Sequence, residues 1–322
     1  MMRRTAFLTI AAGALAAAWT LTASAQPAPI RILVGFPAGG SIDIATRVVA
    51  EHMRGTLGRP VVVENRAGAS GRIALEAVRN TKPDGETLIA SPSGPITLFP
   101  HIYKSLRYDP VKDFTPISTI AAFDYAVSAG PATPAKTVAE YRTWALANAA
   151  KANYGTTGAG TPAHFTGVVF ADKTGTQLTH VAYKGSGPAI TDLAGGAVSA
   201  VVSPVTEAAE QHKAGRIRML ATTGARRSPF VPDVPTLKES GIDFELSSWF
   251  ALFGPADLPP AVAQAYAKAV AAAAADPAVA ERMGKAGLVP ASSTPAELAK
   301  AVKDETAMWA PLVKASGFTP GD

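Results

Sequence analysis

The sequence predicts an α/β protein folded as two lobes. Three observations carry that expectation. Short apolar runs ended by turn residues alternate, from Ile30 onward, with segments whose apolar residues recur at helical spacing. Alternation of this kind implies largely parallel sheets with helices on both faces. At 322 residues the chain also exceeds what a single hydrophobic core usually organises. Finally, each half carries a loop rich in glycine and hydroxyl residues that runs straight into a helix.

The N-terminus reads as an export signal. Arg3 and Arg4 precede the apolar run Ala6 to Leu21, and Ala23-Ser24-Ala25 supplies the small-x-small pattern of a cleavage site. The run holds 16 residues, fewer than the ~20 a spanning helix needs. Cleavage after Ala25 is therefore expected, with Gln26 as the mature N-terminus and the periplasm as destination. Lobe 1 is expected over residues 26–128 and 250–322, and lobe 2 over 129–249.

The elements follow in order. Ile30–Val34 is a buried strand, and Ile42, Ala45, Val48, Val49 and Met53 mark the apolar stripe of a helix. Val61–Glu64 is the next strand and Gly71–Arg79 the next helix. Lys82-Pro83-Asp84-Gly85 is a turn, with Pro fixing φ and Gly accepting a positive one. Thr87–Ala90 is the third strand. Thr137–Ala149 is amphipathic, Asn153–Gly155 is a strand, and Pro162–Lys173 is a helix with Pro in its first turn. Val198–Ser203 and Ile217–Thr222 are strands. Ser248–Gly254 is an apolar stretch that returns the chain to lobe 1. Three helices close the sequence: Pro260–Ala275, Pro277–Ala286 and Pro295–Ala315.

Composition excludes several classes. With no cysteine there is no thiolate metal site and no thiol nucleophile. Five histidines, at 52, 101, 164, 180 and 212, show no metal-ligand spacing. The charge of +5 falls to +3 without Arg3 and Arg4, and no basic stripe suited to nucleic acid appears. No cofactor is expected.

In open α/β sheets ligands bind beyond the carboxyl ends of the strands, which selects the loops after Val34, Ala90, Tyr154 and Val202. In Gly35-Phe36-Pro37-Ala38-Gly39-Gly40-Ser41-Ile42-Asp43 the glycines allow close approach. Ser41 can cap the helix, whose free N–H groups attract an anion. An ordinary turn, with Ser41 capping and Asp43 complementing the helix dipole, fits the spacing equally well. Neither a dinucleotide fingerprint nor a P-loop is present. Tyr154-Gly155-Thr156-Thr157-Gly158-Ala159-Gly160-Thr161-Pro162-Ala163-His164 has the same form. Facing each other, the two loops offer neutral donors that offset the desolvation of a carboxylate. His164 reads first as a helix residue satisfied by a neighbour and second as a ligand contact. Tyr183 and Ser186, in Val181–Pro188, either reach the same cleft or fill a strand-to-helix connection.

At these residues the chain resembles the Bug family, the extracytoplasmic solute receptors of tripartite tricarboxylate transporters. The resemblance extends through Val63–Gly71, Lys82–Gly85, Tyr108–Phe114, Tyr183–Gly185, Asp192–Gly196 and Asp233–Thr236, in order. It implies a periplasmic-binding-protein type II fold, two lobes with a ligand cleft between them. It further implies that Phe36 to Ser41, including Ala38, Gly39 and Gly40, form one jaw, and Thr156, Thr157, Gly158 and Thr161 the other. Asp43, His164 and Tyr183 complete the candidate contacts from their places in the loops. Ser91 and Ser93 stand where the family often meets the far end of the ligand. Two departures matter: Ile42 replaces a small hydroxyl residue, and Ser203 stands where many members carry an aspartate, which disfavours an amino-acid ligand. Tyr125, Tyr183, Phe36 and Trp249 either enclose an apolar carboxylate or belong to the lobe cores.

The implied function is capture of a small organic carboxylate by a monomer, for delivery to membrane transporter subunits. The alternative is a ligand-sensing receptor that docks on a membrane sensor kinase. Hydrolysis by Ser41, His164 and Asp43 is disfavoured because no G-x-S-x-G elbow exists.

Overall fold

The computed structural model describes residues 28–318. The expected signal segment and its cleavage site lie outside the described residues. The chain opens with β1 (Ile30–Val34), α1 (Ser41–Leu57), β2 (Val61–Asn65), α2 (Arg72–Arg79) and β3 (Thr87–Pro92). Two short helices follow, α3 (Ser93–Thr97) and α4 (Phe99–Ile102), and then β4 (Phe114–Ala129). Next come α5 (Val138–Ala147), β5 (Asn153–Thr156), α6 (Pro162–Thr174), β6 (Thr179–Ala182) and α7 (Ser186–Ala194). β7 (Ala200–Pro204), α8 (Val205–Lys213) and β8 (Arg218–Thr222) complete that region. The chain ends with β9 (Ser247–Pro255), α9 (Pro260–Ala274), α10 (Pro277–Lys285), β10 (Val289–Pro290) and α11 (Pro295–Ala315).

Local chemistry accounts for many of the boundaries. Pro occupies the first turn of α6, α9, α10 and α11, where its missing N–H costs nothing. Thr294 and Glu297 form a reciprocal capping box on α11. Ile42, Ala45, Val48, Val49 and Met53 of α1 are buried, and they join Ile30, Ile32 and Val34 of β1 in one apolar cluster.

β1 pairs in parallel with β2 and β3, and β5 in parallel with β6 and β7. The 16-residue β4 joins the two groups, an element the periodicity did not reveal. Residues up to Asp124 pair antiparallel with β9, whereas Tyr125 to Ala129 lie between β7 and β8. The change of partners falls at Asp124–Tyr125, a few residues before the expected 128/129 boundary. The returning passage is β9 itself, which begins beside it: Ser247 pairs with Asp124. Thr223 stitches both passages together. Its N–H donates to the Tyr125 carbonyl at 2.9 Å, and its hydroxyl accepts from Tyr125 N at 3.0 Å. That hydroxyl donates in turn to the Leu246 carbonyl at 2.5 Å.

α11 departs from the expectation that everything after residue 250 sits with lobe 1. Leu298 and Val302 join the core of Leu33, Phe114 and Phe253, whereas Trp309 and Val313 join that of Tyr154, Phe165 and Phe170. Its 21 residues make a rod of roughly 30 Å, long enough to reach across both lobes. No helix among the described residues is long and apolar enough to cross a membrane.

Candidate functional site

The carboxyl ends of β1 and β3 face those of β5 and β7, because β4 runs antiparallel to β7 as it enters the second lobe. The approach of the lobes can be located from glycine. A β-carbon on Gly94, in α3, would stand 3.9 Å from the Pro162 ring at the start of α6.

In the first loop Ala38, Gly39 and Gly40 are exposed and Ser41 is half-buried. Gly39 sits at φ +84°, a region that side chains rarely adopt. The N-cap of α1 is Gly40, with φ −72° and no side-chain cap bond. Ser41 is therefore the first helical residue and not the expected cap, because Gly40 already holds the extended conformation a cap requires. The Ser41 hydroxyl and the first N–H groups of α1 remain available to a guest.

Asp43 departs from the expected ligand contact. It is 2% exposed, and both carboxylate oxygens are engaged within the protein. Gly39 N–H donates to Oδ2 at 2.9 Å, and Asn65 Nδ2 donates to Oδ1 at 2.8 Å. Arg47 Nε reaches Oδ2 at 2.9 Å and Oδ1 at 3.0 Å. Burial alone would raise this carboxyl's pKa; the hydrogen bonds from Arg47, Gly39 and Asn65 outweigh it and hold the group below its usual range. Asp43 shapes the loop from beneath. Phe36 does the same, with its ring against Gly71 and its carbonyl held by Asn65 at 3.1 Å.

The second loop is braced by its own hydroxyls. Thr161 caps α6, accepting from His164 N at 3.2 Å and donating to the Gly158 carbonyl at 2.8 Å. Thr156 is fully buried and donates to the same carbonyl at 3.1 Å. With that proton committed, His180 Nε2 at 2.7 Å acts as donor to Thr156 Oγ1. Thr157 makes only a 3.5 Å approach to Thr161 and is half-buried, so its hydroxyl stays free for a guest.

His164 is likewise a support. Its Nδ1 accepts from Gly160 N–H at 3.2 Å, and its ring stacks on His180 with centroids 3.9 Å apart. Burial, then the neighbouring His180, lowers its pKa to about 4. Tyr183 does not offer its hydroxyl to the cleft. That group donates to Asp192 Oδ2 at 2.7 Å, and the ring packs against Gly155. Burial and the Asp192 carboxylate raise its pKa to about 12.

At the far end, Ser91 donates to the Pro92 carbonyl at 3.0 Å. Ser93 is 1% exposed, and its carbonyl lies 3.0 Å from the Thr97 hydroxyl, which also reaches the carboxyl of Glu305, a residue the sequence reading missed. Ser203 is fully buried with no hydrogen-bond partner. It lies opposite Ala126, on the sheet face whose core includes Val201, Val205 and Ala208. Tyr125 and Trp249 are lobe core, with 7% exposure each. Ile42 is buried in the first core, which accounts for an apolar residue at that position.

Two α/β lobes joined by two adjacent passages, with glycine-rich loops at facing strand ends, define a solute-binding protein of the periplasmic type. Comparison with known proteins agrees. The profile described as "Tripartite tricarboxylate transporter family receptor" (TctC) matches residues 45–318. The chain belongs to this family, in its Bug branch. It is 32% identical to protein BugT of Bordetella pertussis over 300 residues, covering 92% of each chain. The periplasmic binding protein BugD superposes with a TM-score of 0.74 at 33% identity, covering 90% of this chain and 98% of that one. R. palustris Rpa4515, solved with adipate, gives a TM-score of 0.79 at 30% identity, covering 92% and 99%. These are solute-binding receptors and not enzymes.

Proposed function

We propose that this chain captures a small organic carboxylate between Ala38–Ser41 on one jaw and Thr157–Gly158 on the other. It then hands the ligand to the membrane subunits of a tripartite tricarboxylate-type transporter. The observation that carries the reading is the division of labour in both loops. Asp43, Thr156, Thr161 and His164 spend their polar atoms holding the loops, and Ser41, Thr157 and the first N–H groups of α1 are left unspent. Neutral donors at helix starts suit a carboxylate, whose desolvation they offset without a counter-charge. Adipate in Rpa4515 supports the ligand class.

Export with cleavage after Ala25 would place the protein in the periplasm, working as a monomer over lobes near residues 26–128 with 250–322 and 129–249. Ligand bridging the loops shifts the population toward the closed form. The test is thermal stabilisation of the chain from Gln26 by small carboxylates, amino acids and neutral sugars. Ligand at a hundred times Kd adds about 2.7 kcal/mol. A shift by one carboxylate class is expected; a response to sugars alone would overturn the reading.

A further inference from the structure

Glu305 stands where α11 passes from one lobe to the other. On the N-terminal side, Leu298 and Val302 are buried in the first lobe; on the C-terminal side, Trp309 and Val313 are buried in the second. Donors from three elements converge on its carboxyl group. Trp249 Nε1 of β9 donates to Oε2 at 2.7 Å. Thr97 of α3 donates to Oε1 at 3.0 Å, and Trp309 Nε1 donates to Oε1 at 3.2 Å. The Thr97 hydroxyl also lies 3.0 Å from the carbonyl of Ser93, one turn earlier at the carboxyl end of β3. A carboxyl withdrawn from water costs stability unless such donors replace its hydration, and apolar side chains would fill this junction more cheaply. What the acid supplies is direction, because each donor must point at it.

The far end of α11 meets the other jaw. Phe318, just beyond the helix, has its ring 5.8 Å from that of His164 and 5.7 Å from that of Phe165. A β-carbon on Gly160 would stand 3.2 Å from its Cζ. The C-terminal segment thus touches α3 through Glu305 and the second glycine-rich loop through Phe318.

We propose that Glu305 is a positioning residue of the binding site. It pins α11, a strap across both lobes, to α3 through Thr97 and to β9 through Trp249, so that the α3 end of the first jaw and the second glycine-rich loop are coupled through one helix. The proposal rests on the carboxylate reading only where binding is concerned, so its first test needs no ligand.

Hydrogen exchange would be followed on the ligand-free chain from Gln26, in the wild type and in E305Q. The expected result is about tenfold faster exchange at residues 93–98 and at Gly160, with β1 and β5 unchanged. W249F, which removes one donor and keeps a ring, should give a smaller change in the same amides and serves if E305Q folds poorly. In the second arm E305Q should bind adipate at least about tenfold more weakly, with a melting temperature held or raised, since a buried acid has become neutral. Unchanged exchange at residues 93–98, or a change there that leaves Gly160 untouched, would overturn the strap. Parallel losses of stability and affinity would reduce Glu305 to a packing residue. Faster exchange at both sites, in a protein whose wild type binds no carboxylate, would sustain the strap and overturn the proposed ligand.

Discussion

Nδ1 of His164 accepts the backbone N–H of Gly160 at 3.2 Å, so the imidazole holds the second glycine-rich loop only while that nitrogen is unprotonated. The ring is 9% exposed and stacked on His180, and its pKa is lowered to about 4. In the unfolded chain an ordinary histidine titrates near ~6.5. Between those values the unfolded state binds the extra proton, so stability is full above about 6.5 and falls as the pH drops toward about 4. The loss from this group is on the order of 3 kcal/mol at most. His164→Asn keeps an acceptor near the Nδ1 position and cannot titrate. Urea denaturation at pH 7 and pH 5 should show a smaller difference for this variant than for the wild type; equal differences would exclude His164 as the source.

Asp43 carries a prediction of the same sign in a more acidic window. Its pKa is lowered, so its contribution is present at neutral pH and is lost as the pH falls through the folded value. Asp43→Ala should cost roughly 2–4 kcal/mol at pH 7, because Arg47, Asn65 and Gly39 N–H all lose a partner. It should also abolish binding by releasing the loop. Normal affinity in a folded D43A protein would contradict the supporting role assigned here.

Gly40 and Thr157 separate binding from folding. Gly40 lies at φ −72°, and a β-carbon there would meet only the Pro37 carbonyl at 3.5 Å. Gly40→Leu should therefore change the melting temperature little while abolishing the ligand-induced shift. Thr157→Val should weaken binding by about tenfold, the worth of one or two hydrogen bonds. Calorimetric titration reads both, and a wild-type Kd in G40L would move the first jaw elsewhere.

Closure has a steric gauge at Gly287. A β-carbon there would stand 2.0 Å from Cβ of Thr206, at the start of α8 across the lobe junction, and its φ is +74°. Gly287→Ala should hold the lobes apart, raising the radius of gyration by X-ray scattering and weakening ligand binding. Thr206→Gly in the same chain should restore much of the approach. Gly94→Ala, with 3.9 Å to Pro162, is the control and should bind normally.

Much of this arrangement is legible in the residues. The first jaw could be placed because Val34, the glycines and the stripe of α1 are contiguous, and the second because Tyr154 to His164 repeats that form. Roles within the loops were harder to read. Ser41 looked like a cap until Gly40 took that place, and Asp43 looked like a contact until Asn65, 22 residues away, claimed one of its oxygens. His180 and Glu305 gave no local signal, since their partners Thr156, Thr97 and Trp249 lie far off in the chain.

The sequence by itself determined the alternating elements, the two glycine-rich loops and, through its ordered motifs, the receptor family. Each of these is written in neighbouring residues, as a period, a cap or a turn. Tertiary structure alone decided which polar atoms are spent and which are left for a ligand. It also decided where β4 changes partners and that α11 belongs to both lobes. Those outcomes depend on hydrogen-bond saturation and burial between distant segments, and no local pattern encodes a distance that only the folded chain creates.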